Sequence, residues 1–441
     1  MIRELARAVR SYGREVRLIL AVSALVAFAV DGVFPVIFNL YILRMGYGPE
    51  FVGQANSVAL VAFSFSSLLA GTLGSRYGTR RIMVTGVTVT MASTWALSLS
   101  DMLPATLKPW WIIVMFSFLY LGAAFYYVNS SPALVNALTR AEQPRVISVQ
   151  SALNNFLAFT GGPIAGFIPV LLVSLLGWSI HDPATYRVPI LVAGGLLVAA
   201  AALILTARPE SEGSAFSTSA AVTVERREGP VPSGEPAGAP AVAVAFGSTL
   251  LIMSLIRFLT TAGSGSALTF FNVYMDDALG VSTATIGLVV AIAHLAAVPA
   301  ALSVPAVTRR LGNGRAAVAG TVGVALSMLP LALIPLWPAA GLGFMAMYSL
   351  TSIRYSAFFV YMMNVTPPRL RTTMAGAGEF AGGLSFAFVS LVGGYIIVRV
   401  GYGWLFGGAA LITLLGALAL WLYVRHHAKA AAPDSGDGRA G

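Results

Sequence analysis

Gly71-Thr72-Leu73-Gly74-Ser75-Arg76-Tyr77-Gly78-Thr79-Arg80-Arg81 closes one long apolar run, 50–74, and leads into another, 82–100. Arginines and glycines crowded between two such runs describe a tight basic turn at a membrane surface, where cationic side chains stay on the cytoplasmic side. Crossing a hydrocarbon core of ~30 Å takes about 20 mostly apolar residues. Outward from this turn, the runs that meet that requirement are 18–43, 50–74, 82–100, 110–138, 146–172, 188–207, 246–275, 283–307, 316–336, 339–363, 373–398 and 402–424. Each is continuously apolar, whereas a membrane barrel shows short segments of alternating polarity, so the spans are helices. Pro35, Pro132, Pro163 and Pro299 fall inside them, which membrane helices tolerate as kinks.

The composition agrees. Of 441 residues, 57% are hydrophobic and only 10% charged, against about 25% charged in a soluble domain. Mean hydropathy is +0.81. A soluble chain this apolar lacks the polar surface to stay dispersed, and disorder is excluded for most of the length. There is no cysteine, so disulfides, thiolate metal sites and cysteine catalysis are absent. The histidines are His181, His294, His426 and His427, and no metal site is expected. The bias towards arginine, alanine and glycine suggests a GC-rich bacterial genome.

The net charge of +10 is an orientation effect rather than a nucleic-acid surface. With the N-terminus inside, 21 of the 27 Lys and Arg fall in cytoplasmic segments, and only Arg44, Lys108, Arg187 and Arg399 fall outside. This asymmetry predicts a multi-pass protein of the bacterial plasma (inner) membrane with both termini cytoplasmic. Because the chain has no cysteine, single-cysteine variants label without background. Cysteines placed at Ala220 and Glu235 are expected to react only from the cytoplasm, and at His181 and Asp277 only from outside. External labelling of Ala220 or Glu235 would overturn the orientation.

Residues 1–17 carry Arg3, Arg7, Arg10, Arg14 and Arg17 beside a stripe of Ile2, Leu5, Val9, Tyr12 and Val16. They read either as an amphipathic cytoplasmic segment on the anionic inner leaflet or as a plain basic flank. The first apolar run is too long for the core of a cleavable signal peptide. Residues 208–245 hold Pro209, Pro230, Pro232, Pro236 and Pro240 among Glu, Ser and Gly, and read as a flexible cytoplasmic linker. The linker divides the spans into a bundle at 18–207 and another at 246–424, with a disordered tail at 425–441.

The two halves repeat one another. Phe38-Asn39-x-Tyr41 ends the first span, and Phe271-Asn272-x-Tyr274 ends the seventh. Gly46 and Gly280 follow, then Gly53 and Gly287. From Gly53, offsets of 23, 25 and 28 reach Arg76, Gly78 and Arg81; from Gly287 they reach Arg310, Gly312 and Arg315. Both copies start on the same side, as a parallel repeat does.

The 71–81 stretch resembles the loop motif G-x-L-A-D-R-x-G-R-R of the major facilitator superfamily, and the six-plus-six layout extends the resemblance over essentially the whole chain. The resemblance implies an all-α membrane protein, with twelve transmembrane helices in two pseudo-symmetric six-helix bundles. It also implies a gating role for Gly71, Ser75, Arg76, Gly78, Arg80 and Arg81, although those arginines serve as orientation charges as well. Ser75 stands where the family usually has Asp, so the anion of the family's inward-gate latch is missing. Gly161-Gly162-Pro163-Ile164-Ala165-Gly166 resembles the core of the antiporter motif of drug/proton exchangers. Ala158 and Val149 replace that motif's more distant glycines, and span 4 lacks the arginine typical of proton-coupled drug exporters. Close helix packing accounts for Gly162 and Gly166 equally well.

Ionisable groups at membrane depth cost several kcal/mol, about 2.5–3.5 on the lenient insertion scale, and must face a partner or a polar pathway. Asp31 lies about 20 Å into the first span, Arg257 a similar way into the seventh, and Arg354 and Glu379 in the cytoplasmic halves of the tenth and eleventh. Two acids and two arginines can form buried ion pairs, Asp31 with Arg257 among them. Alternatively they line a central pathway, with Asp31, Glu379 or His294 carrying a proton and Arg257 and Arg354 meeting an anionic solute. Asn39, Asn272, Tyr126, Tyr127, Asn154 and Asn155 are further polar groups for such a pathway; helix capping explains the two matched asparagines as well. Trp110, Trp111, Trp178 and Trp404 read as interfacial anchors.

No phosphate-binding loop, zinc-protease motif or sizeable extramembrane domain is present in the sequence, so neither an enzyme nor an ATP-driven pump is expected, and no cofactor. The expected protein is a secondary transporter working by alternating access as a monomer in the lipid bilayer. The leading expectation is proton-coupled efflux of a small organic solute. The alternatives are proton-coupled or facilitative uptake of a polar or anionic solute, and a non-transporting membrane receptor.

Overall fold

The computed structural model describes residues 12–136, 143–206, 239–367 and 370–430. Among these residues helices predominate and there is no strand. Twelve long helices follow the expected spans: α1 Arg14–Arg44, α2 Pro49–Tyr77, α3 Thr79–Ser98, α4 Lys108–Asn136, α5 Gln143–Leu176, α6 Pro183–Thr206, α7 Ala239–Val273, α8 Thr283–Leu311, α9 Asn313–Leu333, α10 Trp337–Asn364, α11 Arg371–Val400 and α12 Tyr402–Ala430.

Ten of them are long and apolar enough to cross a membrane on those grounds alone. The other two, α3 and α10, have the length but more polar side chains. Besides Arg80 and Arg81 at its start, α3 carries Thr79, Thr85, Thr88, Thr90 and Thr94 with Ser93 and Ser98. Several of the hydroxyls donate to carbonyls of their own helix: Thr85 to Arg81 at 3.0 Å, Thr90 to Gly86 at 2.9 Å, Thr94 to Thr90 at 2.8 Å. In α10, Ser356 does the same to Ser352 at 3.0 Å. A hydroxyl satisfied within its own helix costs little away from water, so hydropathy understates these two segments.

Some ends differ from the sequence boundaries. Helix α1 starts at Arg14, and Tyr12 and Val16 are buried with Leu20 against Leu134 and Val146 of α4 and α5. These two stripe residues therefore staple the start of α1 to its neighbours. Helix α7 begins at Ala239, inside the expected linker, and α12 runs to Ala430, into the expected tail. Residues 1–11, 207–238 and 431–441 lie outside the described residues.

The chain divides into two compact units: Met1–Leu251 with Val281–Ala291, and Ile252–Gly280 with Ile292–Gly441. Within the first, α3 packs on α4 and α6, and α1 on α5 and α6. Within the second, α9 packs on α10 and α12 in the same pattern. Helix α7 is tied to α11 by Thr269 and Ser390 at 2.8 Å, and to α12 by Gly263 N donating to Thr413 Oγ1 at 2.8 Å. The repeat read from sequence thus recurs as a repeat of helix pairing. Its matched glycines share a backbone state that disfavours side chains: φ is +88° at Gly46 and +61° at Gly280, and +91° at Gly78 and +77° at Gly312.

Candidate functional site

Asp31 sits on a local widening of α1. Residues Ala27–Val33 form a π-turn, and Phe34 donates its N–H to Ala29 O, five residues back. The sequence supplies the cause: Pro35 has no N–H to give the carbonyl four residues earlier, which is that of Asp31. Single π-turns inside α-helices recur at functional sites. Behind the turn α1 crosses α5 with almost no space, since a Cβ on Gly32 would lie 2.9 Å from Gly161 Cα, and one on Gly161 2.8 Å from Phe28 O.

The Asp31 carboxylate accepts a hydrogen bond from the Tyr127 hydroxyl at 2.9 Å. Among the described residues no ion pair reaches it. Tyr126, the neighbour of Tyr127 on α4, has ring centroids 5.5 Å from it, and its hydroxyl lies 2.8 Å from Ser23 Oγ. Gln150 of α5 donates to the same Ser23 oxygen at 2.9 Å. Two neighbouring sets of polar contacts, Tyr127 with Asp31 and Tyr126 and Gln150 with Ser23, therefore tie α1 to α4 and α5 beside one carboxylate. Such networks fix a single geometry when every member is satisfied.

A second cluster belongs to the other unit. Arg257 of α7 is 6% exposed and Arg354 of α10 is 2% exposed. Arg257 Nη2 lies 3.6 Å from Glu379 Oε1 of α11, which gives it a carboxylate partner within its own unit. Tyr355 donates to the same Glu379 oxygen at 3.1 Å. The Arg257 guanidinium lies 4.9 Å from the Tyr355 ring centre and 6.0 Å from that of Phe358. Gly382 leaves room for it, since a Cβ there would sit 3.2 Å from Arg257 Nε. Arg354 reaches Thr260 Oγ1 at 3.5 Å. Arg257 Nη1 and Arg354 Nε, both buried, make no hydrogen bond.

The remaining sequence candidates are dispersed. His294 is partly buried against Tyr348, ring centroids 4.6 Å apart. Asn39 accepts from Asn56 of α2 at 3.0 Å, tying α1 to α2. The Asn272 side-chain oxygen accepts from Val273 N at 2.9 Å. Asn154 has a buried side-chain oxygen without a hydrogen bond, and Asn155 beside it is exposed.

In the 71–81 turn, Ser75 donates to Thr72 O of its own helix at 2.9 Å. Arg80 caps the end of α6, reaching Leu205 O at 2.9 Å, and Arg76 lies 5.4 Å from the Tyr77 ring centre. Arg81 is exposed, and Gly71 is open apart from a contact with Val128. Gly74 abuts Asn129, which donates to Ala70 O at 3.1 Å and locks α4 on α2. In the Gly161–Gly166 stretch, a Cβ on Gly162 would meet Gly287 O at 3.2 Å and one on Gly166 would meet Thr283 O at 2.5 Å. Those glycines seat the first turns of α8 within the first unit.

Ser23, Gln150, Tyr355 and Thr260 join these clusters without any marking in the sequence. An aspartate four residues before a proline was the available signal for the π-turn.

The family model of the Major Facilitator Superfamily matches residues 19–389 and 253–441. No curated protein matches the chain in sequence. Among solved structures, the chain is similar to the crystal structure of a D-xylose-proton symporter, with a TM-score of 0.70 at 14% identity over 92% of this chain and 97% of that one. It is also similar to the nucleoside transporter NupG, with a TM-score of 0.69 at 12% identity over 93% and 99%. A bacterial homolog of the human lysosomal transporter Spinster, inward-facing and unoccupied, gives 0.69 at 13% identity over 96% and 100%. At such identities the likeness concerns the fold, while the family match spans most of the sequence: this chain is a member of the Major Facilitator Superfamily, and it is a secondary transporter.

Proposed function

We propose that the protein exports a small organic solute in exchange for protons, with Asp31 carrying the proton. The observation that carries this reading is the Asp31 carboxylate, held on a π-turn by a neutral tyrosine hydroxyl with no ion pair among the described residues. A carboxylate locked to an arginine stays ionised. One held by a hydroxyl can exist in either state, because Tyr127 can donate to the ionised acid and to the carbonyl oxygen of the protonated one. Proton loading then costs no contact. Export rather than uptake is supported by the likeness of Gly161–Gly166 to the antiporter core. Membrane orientation, with both termini cytoplasmic, is supported by the arginine distribution.

Inverted membrane vesicles test the reading. Respiration acidifies their lumen and quenches a weak-base dye. A solute that exchanges for protons is expected to restore fluorescence when added outside, in vesicles containing the protein and not in control vesicles. Accumulation of the same solute by right-side-out vesicles in response to external acid, without such recovery, would show uptake and overturn export.

A further inference from the structure

We infer that Arg257 and Arg354 form a receptor for a single carboxylate carried by the transported solute. The inference rests on the reading of the chain as a transporter of small organic solutes and adds the chemical class of what it carries. Three observations within the second unit converge on it.

The first is charge. Two guanidinium groups, 6% and 2% exposed, have one carboxylate between them, that of Glu379. The cluster is left with one uncompensated positive charge among the described residues, and a monoanion would cancel it. The second is hydrogen bonding. Each arginine has a fully buried N–H group with no partner, Nη1 of Arg257 and Nε of Arg354. Native structures rarely leave buried charged donors unpaired, and an unmet group there has a role to be found. The Glu379 contact at 3.6 Å is too long for a hydrogen bond, and the Thr260 contact at 3.5 Å is at the limit. The third is shape. Tyr355 and Phe358 lie beside the Arg257 guanidinium, and the missing side chain at Gly382 leaves room for it. A planar fork of donors matches the two oxygens of a carboxylate.

Access is provided on the Glu379 side. That side chain is 52% exposed, and an acid cannot present itself to hydrocarbon without a heavy cost, so it faces a polar route. Tyr355, 41% exposed, stands beside it. An incoming carboxylate meets Glu379 first and competes with it for Arg257.

The test uses the purified full-length protein in detergent at one pH, without a gradient. The absence of cysteine rules out thiol dyes, and the seven tryptophans report unfolding by intrinsic fluorescence. The probes are benzoate and hexanoate, each against its neutral amide. Both carboxylates are expected to raise the melting temperature, and benzamide and hexanamide to leave it unchanged. Arg354→Gln should weaken the apparent affinity for benzoate about tenfold through loss of a charge-assisted donor. Should that variant fail to fold, Arg354→Lys keeps the charge and loses the planar fork, and is also expected to weaken binding. Glu379→Gln removes the competing anion and should tighten benzoate binding about tenfold, because binding a charge pair is favoured once its rival is neutral. Equal effects of acid and amide, no effect of either, or weaker binding in Glu379→Gln would overturn the inference. Failure here leaves the pH-driven flux of the vesicle experiment standing, and failure of that flux leaves these binding data standing.

Discussion

Asp31→Asn is expected to abolish flux driven by a pH gradient while solute exchange at equal pH continues. The substitution preserves shape and keeps an oxygen to accept the Tyr127 hydroxyl, which lies 2.9 Å from Asp31 in the native protein. What it removes is the ability to gain and lose a proton. Because Arg257 has its carboxylate partner in Glu379, the change does not strand a buried cation, and the penalty of about 3–5 kcal/mol for breaking a buried ion pair is not expected. Stability should fall by about 1 kcal/mol at most, the difference between a charged and a neutral acceptor. Measuring gradient-driven accumulation, exchange at equal pH and thermal unfolding on the same preparation separates coupling from folding. Accumulation that survives in Asp31→Asn would remove this residue as the proton carrier, and loss of exchange together with a large drop in melting temperature would mark it as a structural group.

The helices and their order could be read from the sequence because burial in lipid leaves a dense signature: a continuous apolar run every time the chain crosses. Even α3 and α10, more polar than the rest, have the length of a span, and hydroxyls in both are satisfied within the helix. The repeat was visible where the backbone demands glycine, at Gly46 with Gly280 and Gly78 with Gly312, because a left-handed φ constrains the sequence directly. The intramembrane charges stood out individually for a similar reason, as each is costly in an apolar run. Their partners were not legible. Asp31 could be paired with Arg257 or with a neutral group, and only the three-dimensional path of α4 brings Tyr127 to it. Nothing about Ser23 or Gln150 marks them in sequence, since serine and glutamine in a helix are usually satisfied locally or by solvent. Glycines were hardest of all. They are frequent in membrane helices, and one that seats a neighbouring helix looks the same in sequence as one that faces open space.

That ambiguity yields the second large effect, on stability. Gly86→Ala is expected to cost about 1–3 kcal/mol, as overpacking of a tight contact does, and to impair coupling as well. A Cβ at Gly86 would lie 2.6 Å from Gly122 O and 2.7 Å from Tyr126 N, both backbone atoms that no rotamer change can move aside. Gly122 is equally tight in return, 2.6 Å from Gly86 O. Relief requires α4 to move away from α3, and α4 carries both Tyr126 and Tyr127. Their hydroxyls hold Ser23 and Asp31 at 2.8 and 2.9 Å, so a shift of a few tenths of an ångström loosens both contacts beside the proposed proton carrier. Gly195, in the middle of α6, has nothing within 4 Å of its Cβ position and no left-handed φ. Gly195→Ala should therefore leave flux unchanged and stabilise by about 0.5–1 kcal/mol, the helix-interior advantage of alanine. Thermal unfolding and gradient-driven flux on the two variants decide the matter. If Gly86→Ala is as stable and as active as the parent, the α3–α4 contact does not position the tyrosines. If its stability falls while coupling is untouched, Tyr127 tolerates displacement and its hydrogen bond is dispensable for the proton step.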